Sequence, residues 1–283
     1  MTTAAVDFVG WSGIWVSPDG SSLVGVEEGT WVRANLIYDS VGNLQDFRPV
    51  AAGLLHDDMG QPLADGGDSD AEALDFDGKE FFVGFETNNR VLRYRDIDGP
   101  GFPLPIPSAI TDTIFRGTGF SSVAVIRDGS VIALPEYAYA TASDRQAGAG
   151  FTAIPTRGWM ETPFGAGPIS LRAALPSLPV ALANLPNGDL LTAEVHLQDD
   201  RSIDRAEIGL APGTEAVIGG MINPCALATF APPMPAWRIE GATARPGPNG
   251  ETLLYLLSTS APPVLYMFAL PADRGCAGHS LAN

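Results

Sequence analysis

Along this chain apolar residues gather in runs of four to eight positions, often alternating with polar ones, and each run stops at a turn dipeptide before the next begins. The clearest case lies between Asp70 and Tyr94. Ala73-Leu74 and Phe76 lead into Asp77-Gly78; Phe81, Phe82, Val83 and Phe85 follow; Thr87-Asn88-Asn89 then separates them from Val91-Leu92 and Tyr94. Asp-Gly favours a tight type I′ turn because both residues tolerate positive φ. The stretch therefore predicts an antiparallel meander of three strands. Glu72 stands where the first strand begins and Glu86 where the second ends, so both fall at the same end of one hairpin. With neighbouring strands about 4.8 Å apart, the two carboxylates could share a cation.

The same hairpin recurs. Turns at Asp19-Gly20, Asp77-Gly78, Asp128-Gly129, Asn187-Gly188 and Asn249-Gly250 each follow a short apolar strand, and aligning on them brings Gly13, Ala73, Ser122, Ala181 and Gly241 into one column, spaced 60, 49, 59 and 60 residues apart. A period of about 57 residues with one hairpin per unit is the mark of a β-propeller. We read an all-β propeller of five four-stranded blades forming a single domain over residues 1–283, with six blades as the alternative should residues 137–178 hide another. The last unit runs out of chain after three strands. Residues 4–9 have strand character and no hairpin partner, so they are expected to pair with residues 264–268, complete the last blade and close the ring, which removes the exposed edges. Residues 137–178, rich in Gly, Ala and Pro, and residues 211–236, with five prolines, are expected to be long loops with some strand in each.

Composition supports this reading and removes other classes. The 32 glycines and 24 prolines are spread along the chain, which suits short strands joined by turns, and no long amphipathic helix is evident. No run of 18 apolar residues occurs, so no membrane-spanning helix is expected. A formal charge of −17, with Lys79 the single lysine, repels phosphate backbones and argues against nucleic acid as a partner. The first eight residues carry neither a basic nor an apolar leader region, so the chain as given is expected to be soluble, with a leader removed beforehand left open. Cys225 and Cys276 are too few for a disulfide scaffold or a thiolate zinc site; one bridge in an oxidising compartment and two free thiols remain open.

The alignment also gathers carboxylates. Ser12, Glu72, Ser121, Val180 and Glu240 start the first strands; Glu28, Glu86, Glu136, Glu194 and Ser258 end the second strands. Both rings belong at one face, around the mouth of the channel. Two carboxylates 4 Å apart repel by about 4 kcal/mol at an effective dielectric of about 20, so such a cluster needs metal, arginine or protons to offset it. Calcium, with six to eight oxygen ligands in flexible geometry, is the candidate cofactor, held by Glu28, Glu72, Glu86, Glu136, Glu194 and Glu240. Arg33, Arg90 and Arg205, near the start of third strands, are candidates for holding an anionic substrate. No serine-hydrolase elbow, zinc-protease helix, Walker loop or dinucleotide fingerprint is present, so no catalytic nucleophile is assigned and a hydrolase of this kind would use activated water. Of the three histidines, His196 alone lies near the acidic face, and Trp11, Trp15 and Trp31 read as packing between blades.

These residues bear a resemblance. Gly10-Trp-Ser12-Gly13-Ile14, Asp70-Ala-Glu72-Ala73-Leu74 with Phe85-Glu86 and Arg90-Val-Leu-Arg93-Tyr94, Ala183-Asn-Leu185-Pro186-Asn-Gly188, and Ile239-Glu240-Gly241 together resemble the phytase-like family described by an esterase-like activity. The resemblance implies a bacterial β-propeller, secreted or periplasmic, that hydrolyses phosphoesters or other anionic esters. The chain departs from the family pattern at Val180-Ala181, at Glu194-Val195 and at Ser258-Thr259, where more polar residues are usual, which thins the polar face. Two other functions stay open: a non-catalytic propeller binding a cation or small ligand at its acidic mouth, and a lactonase-like calcium propeller. The expected partner is a small molecule, and the expected state a monomer.

Overall fold

Twenty strands and two short helices account for the regular structure in the computed structural model, which describes residues 11–63, 68–115, 117–126, 128–137, 156–172, 177–198, 202–234, 237–259 and 263–271. The strands form five antiparallel sheets, each built outward from its first strand, and the chain is a five-bladed β-propeller. Blade 1 holds β1 (Gly13–Val16), β2 (Ser22–Glu27), β3 (Thr30–Tyr38) and β4 (Leu44–Leu54). Blade 2 holds β5 (Ala71–Phe76), β6 (Phe81–Phe85), β7 (Arg90–Tyr94) and β8 (Gly101–Pro103). Blade 3 holds β9 (Ser122–Val125), β10 (Val131–Leu134), β11 (Thr156–Thr162) and β12 (Gly165–Leu171), with β16 (Met221–Ile222) added in parallel to its outer edge. Blade 4 holds β13 (Ser177–Asn184), β14 (Leu190–Leu197), β15 (Ile203–Ala211) and β17 (Cys225–Phe230). Blade 5 holds β18 (Ile239–Pro246), β19 (Thr252–Ser258) and β20 (Val264–Leu270).

Each inner hairpin closes at the dipeptide that the sequence marks. Gly20, Gly78, Gly129, Gly188 and Gly250 all sit at positive φ, between 74° and 94°, where a side chain would be strained. The inner strands are buried on both faces: every residue of β6, β9, β10 and β19 is buried. Their apolar side chains form five clusters, each spanning two neighbouring blades, so the core is a set of wedges rather than one centre. Trp15 of blade 1, for example, meets Phe76 of blade 2 edge-on at 5.0 Å. Between blades 5 and 1 the apolar wedge is joined by a polar one, in which the Tyr38 and Tyr255 hydroxyls lie 2.8 Å apart and Arg245 Nε donates to Tyr255 at 2.9 Å.

The five first strands, β1, β5, β9, β13 and β18, pack side by side in a closed ring around the axis. The small residues of the repeat column make that possible. A Cβ on Gly13 would lie 2.6 Å from the backbone of Ala73, and one on Gly241 would lie 2.3 Å from the Ser12 carbonyl. The ring leaves an axial cavity of only ≈ 10 Å³, about enough for one water.

Part of the stretch read as long loops is regular. Within residues 137–178, β11 and β12 are the two outer strands of blade 3, and within 211–236, β16 and β17 add to blades 3 and 4. Residues 4–9, expected to close the last blade, lie outside the described residues. Cys225 is disulfide-bonded, and Cys276, the chain's other cysteine, also lies outside them.

Candidate active site at the channel mouth

At the end of the channel away from the hairpin turns, the inner strands are irregular in a repeated way. The pairing of β5 with β6 skips Glu72, that of β13 with β14 skips Val180, and that of β18 with β19 skips Glu240. A bulge of this kind places one extra residue in the strand and re-aims its side chain. In blade 1 the Ser12 N–H donates to Val26, the residue that Gly13 faces, and in blade 3 the Ser121 hydroxyl donates to the Pro179 carbonyl at 3.1 Å. The column Ser12, Glu72, Ser121, Val180 and Glu240 is thus one ring of residues just above the small-residue ring.

The second ring supplies Glu86 and Glu136. Glu86 follows β6, its N–H donating to the Asp70 carbonyl at 2.9 Å. Gly119 lies against the Glu86 backbone so closely that a Cβ there would sit 2.1 Å from the Glu86 carbonyl oxygen, and the Gly119 carbonyl in turn accepts from the N–H of Glu136. A side chain at position 119 would push the two glutamates apart.

The electrostatics show how crowded this end is. Burial, joined by the charges of Glu240, Asp70 and Glu28, pushes the Glu72 carboxyl up to about 7, against a hydrogen bond from Ser12 that favours its charged form. Glu86 is raised by burial and then by the charges of Glu136, Glu72, Asp70 and Glu240, and Glu136 by burial and then by the charges of Glu240, Glu72 and Asp70. Glu240 is raised by burial, moderated by a 3.1 Å hydrogen bond from Thr259 and by the charge of Arg238. Glu72, Glu86, Glu136 and Glu240, from three blades, therefore act on one another, with Asp70 among them and Glu28 reaching Glu72. Glu194 is buried within β14, facing Pro179 and Glu207 across the ladder. Among the described residues no three acidic, histidine or cysteine side chains lie close enough to hold one metal ion.

The three arginines do not converge. Arg90 reaches back to the Asp68 carbonyl at 2.6 Å and lies over the Phe85 ring, Arg33 lies over Trp31, and Arg205 pairs with Asp204 at 3.2 Å beside His196. Arg238 is the arginine whose charge reaches the cluster, and the sequence reading passed over it. Its signal was position: it directly precedes Ile239-Glu240, and its carbonyl accepts from the Thr259 N–H across the end of the β18–β19 hairpin.

Residues 6–258 match the family model described as phytase-like, esterase-like activity of phytase. The chain belongs to that family. This phytase-like propeller matches no curated protein. Among solved structures it is similar to an endo-arabinase from Bacteroides thetaiotaomicron, with a TM-score of 0.52 and 11% identity over 96% of both chains. It is also similar to a protein provisionally assigned as a gluconolactonase, with a TM-score of 0.48 and 14% identity over 95% of this chain and 77% of that one. Drosophila Semaphorin 1a gives 0.49 and 10% over 95% and 78%. At such identities the likeness concerns the fold alone.

Proposed function

We propose that this phytase-like propeller hydrolyses small anionic esters, phosphoesters among them, at the glutamate-lined mouth, with a cation of the calcium class as its cofactor. Family membership supports the hydrolase reading. The observation that carries the site is that Glu72, Glu86, Glu136 and Glu240, each half-buried, stand at one end of the channel within reach of one another's charge. The ≈ 10 Å³ axial cavity below is too small for a substrate, which supports the mouth above it as the site.

A carboxyl near neutrality suits proton transfer at working pH. In this reading an ionised glutamate takes a proton from water as the water oxygen bonds to the ester carbon or phosphorus. A neighbouring protonated glutamate gives its proton to the leaving alcohol as that bond breaks. An anionic ester would be repelled by a fully charged mouth; the upward shifts keep it partly neutral, and Arg238 offers a cation beside Glu240. The oxygens of Glu28, Glu72, Glu86, Glu136, Glu194 and Glu240 are hard donors of the type calcium takes, and its charge would offset their repulsion. Because no described trio is within reach of one ion, the proton transfers are assigned to the carboxyls themselves. That same observation favours a second reading, a mouth that binds a small ligand without turning it over. Export as a monomer to the periplasm or medium completes the proposal, supported by the disulfide at Cys225.

The test pairs melting curves with and without calcium with hydrolysis of p-nitrophenyl phosphate, p-nitrophenyl acetate and a simple lactone. At a hundred times its dissociation constant calcium should add about 2.7 kcal/mol of stability. The double variant Glu72→Gln, Glu86→Gln should fold, lose the calcium effect and lose turnover by about a hundredfold or more. Absence of turnover on every ester in the wild type overturns the hydrolase reading in favour of the binding one, and turnover of the lactone alone favours a lactonase.

A further inference from the structure

The opposite end of the channel, where the hairpin turns lie, holds a second polar cavity that the mouth does not explain. It measures ≈ 130 Å³, an order of magnitude more than the axial cavity, and its wall includes Trp15, Asp75, Phe76, Asn184 and Thr243. Phe76, Val125 and Asn184 also border a wider groove of ≈ 420 Å³ edged by Asp77, Asp128 and Lys79, so the cavity opens to solvent.

Two of its polar groups are acceptors with capacity to spare. Asp75 Oδ2 accepts from the Val125 N–H at 2.7 Å and Oδ1 from the Phe76 N–H at 2.8 Å, which pins the carboxyl between blades 2 and 3 and leaves each oxygen a further lone pair. Among the described residues no cation pairs with it. Asn184 Oδ1 is buried and has no hydrogen-bond partner among the described residues. Lys79 borders the outer groove and not the inner cavity. Trp15 and Phe76, edge to face at 5.0 Å, bring aromatic surface beside these acceptors.

We propose that this end of the channel is a binding site for a small organic ammonium ion, whose N–H groups would satisfy Asp75 and Asn184 and whose apolar part would rest on Trp15 and Phe76. Charge complementarity argues for a cation over a neutral alcohol or sugar: Asp75 faces the cavity, Asp77 and Asp128 edge the approach, and an ammonium ion beside aromatic rings gains a cation–π attraction. Burial, with the charge of Asp77 adding to it, pushes the Asp75 carboxyl up to about 7, so cation binding would ionise the group and release a proton.

The experiment uses n-butylammonium chloride as the probe, with potassium chloride at equal ionic strength and n-butanol as controls, on the full chain. Binding is followed by saturation-transfer NMR and by the melting temperature. Butylammonium should bind and raise the melting temperature while both controls do not. Asn184→Ala, which removes one acceptor without touching the pinned carboxyl, should weaken binding about tenfold, and Asp75→Asn should weaken it further. The double variant Glu72→Gln, Glu86→Gln should bind as the wild type does, which separates this site from the mouth. Equal binding of butanol, equal binding by Asn184→Ala, or loss of binding in the mouth variant overturns the proposal; should Asp75→Asn fail to fold, Asn184→Ala decides alone.

Discussion

Each inner strand runs from one end of the channel to the other, yet the two ends treat a buried carboxyl differently. At the mouth Glu72 is the extra residue of a bulge and feels the charge of other carboxyls, with the hydroxyls of Ser12 and Thr259 as its group's neutral donors. At the turn end Asp75, three residues on, lies in regular pairing opposite Phe82 and is held by two backbone N–H groups. Both carboxyls reach about 7, the first by burial among like charges and the second by burial with little company. A raised carboxyl by itself therefore does not mark chemistry. What distinguishes the mouth is that carboxyls from three blades act on one another there, which is what the proposed hydrolysis would draw on.

The comparison breaks most severely if the ring between the ends is forced open. Gly13→Val would drive a side chain into the Ala73 and Leu74 backbone, and we expect a loss of about 3 kcal/mol or more, read as a lower urea midpoint. A stable variant would mean that the small-residue ring is not what sets the width of the channel. The next effect is the response to pH. Glu72 and Asp75 stand near 7 in the fold against ordinary values of 4.5 and 3.8, so the native state binds more protons than the unfolded one between these limits. That contribution is fully present below about pH 4 and is lost as pH rises through about 7. The melting temperature should fall from pH 5 to pH 8 by several degrees, at about 2–4 °C per kcal/mol. Asp75→Asn should remove a smaller part of that slope than the Glu72→Gln, Glu86→Gln pair; a flat profile in the wild type would sink the account of both ends. The smallest effect is at Ser12, whose hydrogen bond favours ionised Glu72: Ser12→Ala should raise the Glu72 value by about one unit, seen in a carboxyl NMR titration, and leave Asp75 unmoved.

The hairpins were legible because their chemistry is local. A positive φ at Gly78 or Gly188 is written in Asp77-Gly78 and Asn187-Gly188, and five such turns at a steady spacing define the blades before any packing is considered. The column of small residues could be aligned, but its purpose, letting five strands approach one axis, appears only with the neighbours in place. The outer strands of blade 3 were obscured because β11 and β12 carry Gly158, Gly165, Gly167 and Pro168, residues that dilute a strand pattern, and only their pairing with each other and with β10 settles them. Register likewise put Glu72, Glu86, Glu136 and Glu240 at one end. It could not say that Arg33 and Arg90 turn toward Trp31 and Phe85, since that depends on side-chain direction and on a loop carbonyl at Asp68.

Blade 3 borrows β16 from the segment that links two strands of blade 4, through Ser170 and Arg172 donating to Gly220 and Ile222 and the Gly219 N–H donating to Pro168. The two blades are therefore stitched by backbone as well as by apolar contact. A ring of blades that touch only through side chains can open at any seam, whereas this seam cannot part without breaking a parallel ladder. In the language of local unfolding, blades 3 and 4 form one cooperative unit, and their amide hydrogens should exchange together.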